Sequence, residues 1–133
     1  MKITTLDLKQ DRQWSAMIGM TKERFFVLLD HFKNAYFQTY KAELSKRKVE
    51  VNIGYCINNE EELLLFTLFS LKSGLTYDAL GVVCGMSASN AKRNQEIGLK
   101  IVQLELIQDT TELLIVIGVK ASQFHTKNLK INH

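Results

Sequence analysis

Apolar residues recur along this chain mainly at three- and four-residue steps, and the elements they predict are helices. From Lys22 to about Tyr40, the residues Phe25, Leu28, Leu29, Phe32, Tyr36 and Tyr40 fall on one stripe, as an amphipathic helix with a buried face requires. Such a stripe reads as core, not as a ligand surface. Ahead of it, Trp14, Met17 and Ile18 share one face of a shorter helix beginning near Asp11. Gly19 ends that helix, and Thr21 is placed to cap the next. A further helix starts at Asn59, with Glu60, Glu61 and Glu62 in its first turn, where they suit the helix dipole. It continues through Leu63 to Leu71, apolar nearly all round, so it is expected to be central; Ser73 and Gly74 close it. Three consecutive carboxylates cannot converge on one ion from a helix, so capping and solvation account for the acidic triplet. Residues 41–58 read as a polar, basic connection.

The most informative segment runs from Leu75 to Asn94. A helix over Thr76 to Cys84 is stopped by Gly85, and Met86 fills the corner. Ser87 or Ala88 then opens a second helix that extends to about Ile107. Gly85 can take the positive φ of a tight turn, and Gly81 is small enough to let the second helix cross the first closely. Ala91 packs back on the first helix. Ser87, Ala88, Ser89, Lys92, Arg93 and Glu96 are left on the outer face, the one a recognition helix turns toward the major groove. Ile97, Ile101, Leu104 and Ile107 form a later apolar stripe. Leu113 to Val119 reads as a β-strand with no partner inside the chain, followed by a weakly ordered tail.

At 133 residues with 46% apolar content, the chain has enough material for one core. The absence of proline favours uninterrupted helices. The expected class is therefore all-α, a helical bundle containing a helix-turn-helix with a short C-terminal strand. Its parts are a leader with a short helix (1–20), the helix-turn-helix domain (21–111, motif 75–96), and a strand-like remnant with a flexible tail (112–133). A net charge of +3 is compatible with nucleic acid but does not by itself point there. Its distribution says more: Lys46, Arg47 and Lys48 form one cluster, Lys92 and Arg93 another, and three lysines with no acid follow Glu112. Cys56 and Cys84 lack metal-ligand spacing and read as buried free thiols. The start lacks the apolar core of a signal peptide, and no apolar run is long enough to span a bilayer, so a cytoplasmic chain with no membrane partner is expected. His31, His125 and His133 are scattered; His31 is expected to be a partly buried helix residue, and the other two lie in the tail. No phosphate-cradling glycine loop and no cofactor motif is visible.

Three segments carry a family resemblance: Ile18 to Leu29, Glu61 to Phe69, and Leu75 to Ala91. In this order, over roughly residues 14–105, they resemble the N-terminal region of DDE-superfamily insertion-sequence transposases. In that family a helix-turn-helix precedes a ribonuclease-H-like catalytic domain. The resemblance has three departures. Ala88 stands where the family often has lysine, removing a phosphate contact. Asn94 stands where an apolar residue usually packs, leaving either a buried amide in need of partners or a shifted register. The segment Glu112 to Val119 resembles the first catalytic strand, but Val116 or a neighbour occupies the place of its aspartate. Two-metal phosphoryl transfer needs converging carboxylates around ions about 4 Å apart, and this chain does not supply them. The expectation is a chain that is not an enzyme.

What the resemblance implies is binding of double-stranded DNA at transposon ends by a truncated or split transposase domain. Lys92 and Arg93 would meet phosphates or guanine edges. Ser87, Ser89 and Asn90 would donate near the helix N-terminus, with Ala88 beside them, and Lys46, Arg47 and Lys48 would add backbone attraction that weakens with salt. A different class remains open: an interaction module that dimerises through Leu113–Val119 or the Ile97–Ile107 stripe and forms mixed oligomers with a full-length transposase. A small helix-turn-helix repressor shares the motif and differs only in target.

Overall fold

A computed structural model of the chain describes the backbone of residues 1–51 and 56–108, and the side chains of 1–47 and 56–104. The expected strand at Leu113–Val119, the tail, and His125 and His133 lie outside the described residues. A 3-10 turn at Thr5–Asp7 leads into six α-helices among those residues: α1 (Asp11–Ile18), α2 (Lys22–Tyr40), α3 (Leu44–Val51), α4 (Glu60–Ser73), α5 (Tyr77–Cys84) and α6 (Ala88–Gln108). The described fold is all-α.

The helix ends follow local chemistry. Thr21 accepts from the Arg24 N–H at 3.3 Å and Asn59 from the Glu62 N–H at 2.9 Å, which satisfies N–H groups that a helix start would leave unpaired. Glu62 completes the α4 cap by accepting from the Asn58 N–H at 2.6 Å. Glu60 departs from the expectation of a solvated residue. It is buried, and its Oε1 accepts from the Leu44 N–H at the start of α3. That bond helps explain why α3 exists within a stretch that reads as a connection. The helix is short and charged, and Leu44 is its one fully buried apolar anchor among the described side chains. Its N-terminal cap comes from a carboxylate sixteen residues further on.

The α4 helix sits at the centre. Leu63, Leu64, Leu65, Phe66, Leu68 and Phe69 are all buried, and α1, α2 and α6 pack around them. Burial of each such side chain contributes roughly 1.5–3 kcal/mol, so this one helix anchors the core. The stripe on α2 packs as expected, with Phe25, Leu28, Leu29, Phe32 and Tyr36 buried and Tyr40 half-buried against the core. Trp14 and Ile18 hold α1 down, and the indole Nε1–H donates to the Leu8 carbonyl at 3.0 Å. His31 is exposed on α2, not partly buried: it lies one residue before Phe32, off the buried stripe.

The later stripe of α6 is taken up by the chain's own core. Ile101 is fully buried, and Ile97 and Leu104 pack against the same cluster, so this part of the stripe is not a free dimerisation face. Between them, Gly98 brings α6 hard against α4: a Cβ built there would lie 1.8 Å from the Thr67 Oγ1 and 2.9 Å from its Cβ. Thr67 has little freedom to move away, because its hydroxyl donates to the Leu63 carbonyl at 2.7 Å in the buried interior. Gly98→Ala is therefore expected to destabilise the chain by about 1–3 kcal/mol, as overpacking does, read as a lowered urea midpoint. Combining it with Thr67→Ala should recover part of that loss; strict additivity would show that the two sites do not clash.

Candidate nucleic-acid interface

The helix-turn-helix is built by a few local bonds. Thr76 caps α5 by accepting from the Ala79 N–H at 3.2 Å. Gly85 follows the helix at φ +74°, which lets its own N–H and that of Met86 both donate to the Gly81 carbonyl, at 2.8 and 2.9 Å. Gly81 is required, though its closest neighbour is the turn more than the second helix: a Cβ there would lie 2.4 Å from the Met86 carbonyl oxygen. Ser87 then opens α6, its hydroxyl accepting from the Asn90 N–H at 3.1 Å and leaving its own proton free to donate.

The outer face holds what the sequence predicts. Ser87, Ser89, Lys92, Arg93 and Glu96 are exposed, Ala88 and Asn90 are half-buried, and Ala91 is fully buried in the core. Glu96 shares this face and lies close enough to Tyr77 to help raise its phenol pKa, behind the larger effect of burial. The second basic cluster is not a set of equivalent arms. Lys46 is exposed. Arg47 is half-buried, donates from Nη1 to the Tyr36 hydroxyl at 2.7 Å, and stacks 3.6 Å above the Tyr40 ring centroid. Lys48 lies within α3, and its side chain is outside the described set. Burial raises the Tyr36 phenol pKa, and the neighbouring Arg47 offsets part of that rise.

Two features of the site were not read from the sequence. A polar relay joins the motif to the central helix: the Tyr77 hydroxyl donates to Gln95 Oε1 at 2.8 Å, and Gln95 Nε2 donates to Ser70 Oγ at 3.1 Å. Ser70 in turn donates to the Thr67 carbonyl at 2.7 Å. The helical period placing Gln95 between Ala91 and Gly98 is the signal that could have marked it as inward-facing. The corner is also strapped from a distance. The Lys2 N–H donates to the Cys84 carbonyl at 3.0 Å, and the Cys56 thiol donates to the Gly85 carbonyl at 3.0 Å. Cys56 is thus half-buried, while Cys84 is buried as expected.

At Asn94, of the two alternatives the sequence left open, the structure selects the buried amide. The side chain is fully buried, Nδ2 donates to the Met86 sulfur at 3.5 Å, and Oδ1 has no partner among the described residues. Since the α6 register holds on both sides of it, the departure costs stability without shifting the helix.

No family model, curated protein or solved structure matches the chain. Among the described residues, no group of three or more His, Cys, Asp or Glu side chains is placed to hold a metal, and no helix is long and apolar enough to cross a membrane.

Because an orphaned buried acceptor costs about 1–3 kcal/mol, Asn94→Leu is expected to leave stability unchanged or raise it by up to about 2 kcal/mol, measured by urea unfolding. A clear loss would mean that Oδ1 is satisfied in solution. The Cys84 thiol pKa gives a pH test. Burial pushes it from an ordinary 9.0 up to about 11, so the unfolded chain ionises this thiol at lower pH than the folded chain does. The stability it contributes is present below pH 9 and lost as pH rises from there toward about 11, at up to about 1.4 kcal/mol per pH unit. Removing the thiol by Cys84→Ala should flatten the decline in that window. The raised Tyr36 and Tyr77 phenol pKa values act in the same direction at higher pH.

Proposed function

We propose that this chain binds double-stranded DNA through the α5–α6 helix-turn-helix, and that it acts as the end-recognising domain of a truncated or split transposase. One observation carries the reading. The first turns of α6 stand on the outside of a glycine-closed corner, with Ser87, Ser89, Lys92 and Arg93 exposed and no carboxylate among the described residues paired to either cation. A helix start presents unpaired N–H groups and a positive dipole end, so phosphate is favoured at Ser87 and Ser89. Arg93 and Lys92 can then reach base edges or the backbone. The transposon-end target rests on the sequence resemblance, and the chemistry stops at binding.

A second reading is favoured by Val82. It is 75% exposed, and Val83 and Tyr77 on the same helix are 39% and 36% exposed, so α5 leaves apolar surface uncovered among the described residues. In that reading the chain is an interaction module whose partner covers α5, forming homodimers or mixed oligomers with a full-length transposase.

Fluorescence anisotropy separates the two readings, using duplexes with candidate terminal repeats and a scrambled control at two salt concentrations. DNA recognition predicts preference for the repeats, weakening with salt. Arg93→Ala should reduce specific binding by about 1–3 kcal/mol, roughly five- to 150-fold. A chain that binds no duplex at low salt yet sediments as a dimer would refute the first reading in favour of the second.

A further inference from the structure

Away from the helix-turn-helix, two cations from different helices share one aromatic ring. Arg47 of α3 places its guanidinium carbon 3.6 Å from the centroid of Tyr40, at the end of α2, and Lys100 of α6 places its Nζ 5.6 Å from the same centroid. The two charges are therefore at most roughly 9 Å apart, the two distances laid end to end. The arrangement is fixed on the arginine side. One N–H donates to the Tyr36 hydroxyl, and the Tyr36 and Tyr40 rings lie 4.7 Å apart by centroid, which holds the guanidinium over the ring while its other donors remain. Glu60 is close enough to act on the Tyr36 phenol, but its Oε1 serves the Leu44 amide. No carboxylate among the described residues pairs with Arg47 or Lys100. Two like charges are thus held over one ring with no carboxylate among the described residues ion-paired to either.

Lys100 also continues the outer face of α6. It follows Arg93 by seven residues, two helical turns, which places it on the same side about 10 Å further along. The exposed line through Ser89, Arg93 and Glu96 ends at Lys100, beside Tyr40 and Arg47.

We propose that Arg47, Tyr40 and Lys100 form a clamp for a backbone phosphodiester of the same duplex that the first turns of α6 face. This rests on the DNA-binding reading above and adds a second, fixed point of attachment. The guanidinium fork fits two oxygens of one phosphate, Lys100 supplies a point charge, and the ring keeps both in place without neutralising them. The clamp gives no sequence information. It sets the angle at which α6 meets the duplex.

The test uses the full chain, a duplex it binds, and a series of salt concentrations. Lys100→Gln is compared with Lys22→Gln, which removes the same charge from an exposed position in the first turn of α2, at the far end of that helix from Tyr40. Losing one phosphate contact should flatten the slope of log affinity against log salt by roughly 0.9. Lys100→Gln is expected to show that change and Lys22→Gln a much smaller one, with both keeping the urea midpoint of the unaltered chain. Equal effects from the two variants would refute the clamp, because Lys100 would then add only general charge. If the unaltered chain binds duplex and Arg93→Ala weakens it while Lys100→Gln tracks Lys22→Gln, the clamp alone fails. If the unaltered chain binds no duplex, the DNA-binding reading fails and the clamp fails with it.

Discussion

The close approach of α6 to α4 at Gly98 and Thr67 is the constraint on which the rest of this structure depends. Helix axes pack about 8–10 Å apart, with the distance set by the side chains between them. With no side chain at Gly98, α6 settles directly onto the hydroxyl and methyl of Thr67. Thr67 belongs to the most buried helix of the chain and is tied to its own backbone. The position of α6 is thereby referred to the centre of the core. Because α6 is one helix from Ala88 to Gln108, the same contact fixes where its first turns point. The Tyr77–Gln95–Ser70 relay adds a second tie and brings α5 into the same frame.

That arrangement explains what could be read in advance. The bounds of α1 and α2, the central role of α4, and the corner at Gly85 all arise from short-range patterns: a 3.6-residue period, a capping side chain, a glycine where φ must be positive. Such patterns are complete within a dozen residues, so sequence shows them. The outer face of α6 was legible for the same reason, since the period that buries Ala91 exposes Ser89, Lys92 and Arg93. What escaped depends on partners distant in the chain. The helix α3 takes its cap from Glu60, and the corner is strapped by Lys2 and Cys56. Arg47 looks like one of three similar cations until the fold brings Tyr36 and Tyr40 beneath it. No local pattern encodes any of these contacts.

Charge plays a narrower part here than the basic clusters imply. Lys92 and Arg93 have no ion-pair partner among the described residues, Glu96 beside them lowers the local positive potential, and Arg47 is held by aromatic rings. With a net charge of only +3, long-range attraction is weak. On the DNA-binding reading proposed above, recognition has to come from fit at short range, where the position of each group counts for more than the total charge.

The double duty of α6 also restricts how this surface can change. Ala91, Asn94, Gln95, Gly98, Ile101 and Val102 are committed to the interior, and a new side chain at any of them would be felt throughout the core. Only a narrow strip of the helix can be rewritten without disturbing the fold. On the proposed reading, chains diverging from this one would acquire new preferences through a handful of positions, chiefly 89, 92, 93 and 96, because Ser87 also caps the helix. The vocabulary of the surface is small, and each of its letters can be exchanged on its own.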